Sequence, residues 1–214
     1  DDTDAAVTLS DCTVDIAEMK GVHRQARTLY AHSTDDPDET SWQTLSNHSC
    51  NVAELAGRFA SAFDARDFGE LLGLVHDAGK ASALFQQRLA GRPIKVDHST
   101  AGGKLLVELF DTSGASKKPG WGTCFAYAVL GHHGGLPNGR CGEMRSSLFE
   151  RLGEEVEPYD SFLDIVSLPD ASVLKNEIPS LLRNEKTSQE RTFGFTTLLR
   201  MLFSCLVDAD YLDT

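Results

Sequence analysis

Several polar side chains in this 214-residue sequence sit where an amphipathic helix should bury something apolar. His48 has Val52, Leu55 and Phe59 at +4, +7 and +11, and His98 has Gly102, Leu105 and Leu109 at the same spacings. Such spacings share one helix face, so both imidazoles point toward the core. His132 and His133 follow the apolar run Phe125–Leu130, and the pair His76-Asp77 closes the run LLGLV. Asp208 has Cys205, Ser204 and Met201 at −3, −4 and −7. A lone core histidine is commonplace, but four helices each offering an inward ligand or an adjacent pair are not. A buried carboxylate with no partner costs several kcal/mol, so Asp77 and Asp208 each call for a cation or strong donors. Imidazole combined with carboxylate is the ligand set of first-row transition ions. The chemistry these residue types suggest is therefore the binding of divalent transition ions, with a carboxylate free to bridge two of them.

The elements that must carry these residues read as helices. Apolar residues recur at helical period over 46–63, 67–77, 84–90, 99–110 and 123–133, more weakly over 143–152, 159–166 and 172–183, and strongly over 189–211. Gly134 and Gly135 supply a left-handed helix stop directly after His132-His133. The stretches 33–41, 113–122 and 136–142 are rich in Gly, Pro, Ser, Asp or Asn and read as loops. No alternating strand pattern and no internal repeat is evident. The expectation is an all-α fold in one domain, residues 29–214, preceded by an unassigned extension, 1–28.

An apolar fraction of 41% suits a globular core. No uninterrupted apolar run approaches the ~20 residues of a membrane span, and no secretory signal opens the chain, so a cytoplasmic location without a membrane partner is expected. The cysteines (Cys12, Cys50, Cys124, Cys141, Cys205) are odd in number and contain no C-x-x-C pair. That argues for free thiols rather than a disulfide framework or zinc knuckle. The net charge of −12 is unevenly spread, for residues 78–151 carry 10 basic against 5 acidic side chains while both flanks are acidic. A positive middle between negative ends can hold a polyanion beside a metal site.

The order His48, His76-Asp77, Asp208 resembles the H…HD…D pattern of the HD phosphohydrolase superfamily. The strings YAHS (30–33), NHS (47–49), LLGLVHDAGK (71–80), DHSTAGG (97–103), GHHGG (131–135) and VDADYLDT (207–214) sharpen the likeness. Together they resemble the HD nuclease domain of the CRISPR-associated helicase-nuclease of type I interference systems, from about Leu29 to Thr214. The resemblance implies a compact helical HD-domain bundle. It implies one or two divalent ions (Mn, Co, Ni or Fe), the first held by His48, His76, Asp77 and Asp208, the second by His98, His132 and His133 with Asp77 bridging. It also implies cleavage of single-stranded DNA by metal-activated water attack on the phosphodiester, with Asp77 orienting the water and Lys80, the lysine of HDxGK, beside the phosphate.

The same resemblance implies a helicase on a separate or missing polypeptide segment and an RNA-guided surveillance complex as partners. The chain has no G-x-x-x-x-G-K-[ST] loop of its own, which suits a stand-alone nuclease subunit or an excised domain. Lys104, Lys117, Lys118, Arg140 and Arg145 are the expected DNA contacts, and Trp121 is a candidate for stacking on a base or for packing. His32 reads as structural or as a support to the ligands, and His23 has no assigned role. Two alternatives use the same residues differently: an HD hydrolase of dNTPs or cyclic nucleotides, and a helical interaction module with an inert site.

Overall fold

The computed structural model describes residues 28–35, 38–111, 120–139, 147–170 and 187–214, together with 174, 179 and 182. The fold class is all-α, as expected. Seven α-helices lie among the described residues: α1 (Leu45–Ala60), α2 (Arg66–Val75), α3 (Ala83–Leu89), α4 (Ser99–Phe110), α5 (Trp121–Gly131), α6 (Leu148–Gly153) and α7 (Ser188–Asp213). Short 3-10 turns at Ser61–Phe63, Ala78–Ala81 and Asp160–Phe162 join them.

Small residues bring the central helices close together. A Cβ on Gly73 would lie 2.5 Å from Ala53 Cα, and one on Gly69 would lie 2.6 Å from the carbonyl oxygen of Ala56, so α2 runs against α1 almost backbone to backbone. Gly102 does the same for α4, where a Cβ would fall 2.1 Å from the carbonyl oxygen of Val75. This closeness, rather than any special backbone angle, is what the second half of DHSTAGG provides. α1 buries Leu45, His48, Val52, Ala53, Ala56 and Ala60 on one stripe, the i, i+3, i+4 face that the sequence periodicity anticipates. α5 pairs with α4, and α7 packs across α1, α5 and α2.

α7 begins at a capping box in which Thr187 and Glu190 satisfy each other's backbone N–H groups. By length and composition it is, among the described residues, the helix that could cross a membrane. Here its stripe Gly194, Leu198, Leu202, Cys205, Leu206 and Ala209 is buried in the bundle.

The structure departs from the sequence reading in three places. Residues Tyr30–His32 (β1) and Gln43–Thr44 (β2) form a two-stranded antiparallel pair, too short to register as alternation. Helical period over 67–77 overruns α2, which ends at Val75, so that His76 and Asp77 stand at the turn. The helix expected over 159–166 is one 3-10 turn, Asp160–Phe162, followed by a non-helical turn. The segment 172–183 lies outside the described residues apart from 174, 179 and 182.

Candidate metal centre

Four atoms converge where α1, the end of α2 and the last turns of α7 meet. His48 Nε2 lies 3.3 Å from His76 Nε2, 3.2 Å from Asp77 Oδ2 and 3.4 Å from Asp210 Oδ1. His76 Nε2 lies 3.2 Å from Asp77 Oδ2 and 3.5 Å from Asp210 Oδ1. A second group of four forms on the other side of the same carboxylate. Asp77 Oδ1 is 3.5 Å from both His98 Nε2 and His132 Nε2, and His98 Nε2 is 2.8 Å from His133 Nε2. Within each group the donor atoms all lie within 4.8 Å of one another. Donors about 2.1 Å from a shared ion sit roughly 3.0–3.4 Å apart at octahedral or tetrahedral angles, so these separations fit one divalent ion per group.

Hydrogen bonds fix which nitrogen each ring turns inward. His76 Nδ1 donates to the Gly73 carbonyl at 2.8 Å, and His132 Nδ1 donates to the Val129 carbonyl at 2.6 Å. His48 Nδ1 donates to Asp213 Oδ2 at 2.7 Å. A ring that gives its Nδ1 proton to the scaffold keeps an Nε2 lone pair for a cation. Asp77 Oδ1 and His132 Nε2 are buried and have no hydrogen-bond partner. Orphaned buried polar atoms are costly, and these two face each other across 3.5 Å, the arrangement a divalent cation would satisfy.

Charge is concentrated at the HD turn. Burial favours a neutral Asp77, yet the charges of His76 and Lys80 outweigh it and hold the carboxyl well below its ordinary range. Burial likewise opposes the His76 imidazolium, but the Asp77 charge and hydrogen bonding with Asp210 and Asp77 raise its pKa to about 10. His98 behaves oppositely, since burial lowers it to about 4 despite the Asp77 charge. Lys80 is buried, with Nζ 2.6 Å from Asp77 Oδ2 and 3.2 Å from His32 Nε2.

The HD turn is held from two sides. The Gly79 N–H donates to the His98 carbonyl at 3.2 Å, and a Cβ on Gly79 would come within 2.4 Å of that oxygen. Glycine in HDAGK is therefore what lets His98 approach Asp77. The buried amide of Gln86 donates to the carbonyls of Lys80 and Tyr30 and accepts the Tyr30 N–H, clipping β1 to the turn.

The two groups gather His48, His76, Asp77, His98, His132 and His133, but not Asp208. Asp208 is exposed on α7, and Asp210 supplies the carboxylate instead. Leu198, Leu202 and Leu206 recur every four residues along the buried stripe, and Asp210 is the next position. Asp208 lies two residues away, about 200° around the helix. Matching Asp208 to Ser204 and Met201 chose the wrong stripe, for Ser204 is also exposed. Asp213 was missed as well, although VDADYLDT contains it. His32 packs edge-on to His48 at 4.7 Å and accepts from Lys80, a supporting place rather than one among the converging donors.

Trp121 is engaged by Phe68, Phe125 and Phe195, with ring centroids 5.3–5.9 Å away, so packing accounts for it. Of the cations expected to meet DNA, Lys104 donates to the Glu154 carbonyl, and Lys117, Lys118, Arg140 and Arg145 lie outside the described residues. Cys50, Cys124 and Cys205 are free thiols; Cys12 and Cys141 lie outside the described residues.

A helical bundle that folds imidazoles and carboxylates around an HD turn defines an HD-type, metal-dependent hydrolase. The profile of the family described as Cas3, HD domain matches residues 27–197, and the chain belongs to that family. No curated protein matches it. Membership carries metal-dependent nuclease chemistry in a CRISPR setting.

Proposed function

We propose that this chain cleaves single-stranded DNA during type I CRISPR interference, using two divalent transition ions held on either side of Asp77. The observation that carries the reading is the division of labour within one carboxylate. Asp77 turns Oδ2 toward His48, His76 and Lys80 and Oδ1 toward His98 and His132. In this reading His48, His76, Asp77 and Asp210 hold one ion, and Asp77, His98, His132 and His133 hold the other.

Bound ions of this kind supply Lewis acidity, making coordinated water acidic near neutral pH and holding phosphate oxygens. The protein's own part is orientation and charge. His48, His76 and His132 commit Nδ1 to the scaffold, which fixes each ring and leaves Nε2 turned inward. Asp77 keeps the two groups in register. Lys80 carries a positive charge at the carboxylate's edge, where it can offset negative charge developing on the phosphodiester. DNA contact from Lys104, Lys117, Lys118, Arg140 and Arg145, a helicase and an RNA-guided complex as partners, and the division into 1–28 and 29–214 belong to the same proposal.

The test loads the purified chain with manganese, cobalt, nickel or ferrous iron. It then offers a single-stranded oligonucleotide, its duplex, a dNTP and a cyclic dinucleotide. Cleavage of the single strand in preference to the rest is expected. Turnover of free nucleotides with the strand left intact would assign the chain to nucleotide hydrolysis instead. A protein that takes up no ion and hydrolyses nothing would be an interaction module. Lys80→Ala with full ion content should turn over the strand at least about tenfold more slowly; unchanged turnover removes Lys80 from the chemistry.

A further inference from the structure

The two groups differ in what holds their rings. His48, His76 and His132 each anchor Nδ1 on a backbone carbonyl or a carboxylate. His98 and His133 do not. His98 Nδ1 is buried without a partner, and the hydrogen bond of its Nε2 goes to His133 Nε2. Without an Nδ1 anchor, these rings rest on ring packing, Phe85 on His98 and His132 on His133, and on the backbone that carries them, and one side chain outside the cluster grips that backbone.

Arg151 lies on α6, a short helix closed at its start by a Ser147–Glu150 capping box. Its Nη1 donates to the Leu130 carbonyl at 2.7 Å, two residues before His132. Its Nη2 donates to Ser99 Oγ and Thr100 Oγ1, both at 2.8 Å, and to the Asp97 carboxylate at 3.1 and 3.2 Å. Its Nε adds a bond to Thr100 Oγ1 at 3.1 Å. Asp97 in turn accepts the backbone N–H groups of Ser99 and Thr100 and the Thr100 hydroxyl, fixing the first turn of α4 on either side of His98. One guanidinium thus ties the start of α4, which carries His98, to the end of α5, which leads into His132-His133. A planar fork with five N–H donors can span both segments, whereas an ammonium cannot reproduce that geometry.

We infer that Arg151, acting with Asp97, is the positioning residue of the second ion site and decides whether the chain holds one ion or two. This rests on the two-ion reading proposed above. Arg151 touches no ligand of either group, but the segments it holds lead into His98 and His132-His133 and not into His48, His76 or Asp210, so its loss should bear on the second ion first. Supporting groups one shell out from a metal typically change its affinity by about 10–100-fold, enough to empty one site while the other stays filled.

The test titrates cobalt(II) into the full chain and its Arg151→Met and Arg151→Lys forms, reading ions per chain by mass spectrometry and stepwise affinities by calorimetry. Two ions are expected in the unaltered protein. Arg151→Met should retain the tighter ion within about twofold and lose at least about tenfold in affinity for the second, with Arg151→Lys in between. Two ions bound by Arg151→Met with unchanged affinities overturn the inference and leave the two-ion reading intact. Equal loss of both ions from a folded Arg151→Met protein overturns it too, because the arginine would then be serving the whole bundle. Should Arg151→Met fail to fold, Arg151→Lys decides by the same criterion. Fewer than two ions in the unaltered protein overturn the two-ion reading and the inference together.

Discussion

The two halves of the candidate metal centre share one aspartate yet are built by different means. The first is made by helix packing: His48 and His76 are fully buried, their rings are pinned through Nδ1, and Asp210 extends an apolar stripe of α7. The second draws all three of its imidazoles from helix ends, where the first draws only His76. His98 precedes the first residue of α4, His132-His133 follow the last of α5, and His133 is exposed. One half inherits its geometry from the core, while the other depends on a small polar clamp beside it. A site assembled this way can lose one ion without losing its fold.

The harshest way to break the comparison is to remove what the halves share. Asp77→Asn should leave neither group able to hold an ion at micromolar concentration and should lower strand cleavage by at least about a thousandfold, several kcal/mol of transition-state stabilisation. Elemental analysis after gel filtration checks the first point and a gel assay the second. An Asp77→Asn protein that still carries two ions would mean the carboxylate does not join the halves.

Next in size is the choice between two aspartates on α7. Asp210→Asn should lose the first ion and keep the second, while Asp208→Asn should match the unaltered protein within about twofold in ion content and rate, as surface substitutions generally do. If Asp208→Asn were the damaging change, the helix would have to be rotated from where it lies.

A finer cut separates ligand from support. Asp213 accepts from His48 Nδ1, from Gln43 Nε2 at 2.7 Å and from Asn51 Nδ2 at 2.8 Å, so three donors hold the carboxylate that orients the His48 ring. Asp213→Asn should weaken the first ion by about 10–100-fold and leave the second unchanged. Calorimetric titration reads both steps in one experiment, and equal weakening of the two would erase the distinction between them.

How much of this was legible in the sequence follows the same division. The helices of the core announced themselves by period, and His48, an imidazole on an apolar face, was visible for that reason. His98, His132 and His133 were visible for the same reason, as imidazoles at the end of an apolar helical stripe, with Gly134 and Gly135 marking the stop after the pair. Asp208 was chosen over Asp210 because two carboxylates two residues apart both satisfy a loose apolar pattern, and only the packed neighbours of α7 tell the stripes apart. Asp213 and Arg151 gave no signal, since a polar residue that supports a ligand looks like any solvated charge until its partners, 165 residues away for Asp213 and His48, are folded against it. The β1–β2 pair was illegible for a related reason. Its register depends on contacts to Leu45 and Gln86 rather than on alternation within three residues.

The smallest expected effect is a count of protons, and it probes the two halves without altering a residue. Against burial, the Asp77 charge raises His76 to about 10, and hydrogen bonds to Asp210 and Asp77 raise His48 as well, so an ion in the first group must displace protons held there at neutral pH. Burial lowers His98 to about 4 and, with the neighbouring His132, lowers His133 as well, so an ion in the second group displaces fewer protons than an ion in the first. The sign follows directly. Affinity for the first ion should climb about tenfold per pH unit for each proton displaced, from neutrality up to about pH 10, whereas affinity for the second should rise less steeply over the same range. Calorimetry in two buffers of different ionisation enthalpy should therefore report release of more protons with the first ion than with the second. Equal release at both steps would mean that the halves are electrostatically alike and differ only in what props them up.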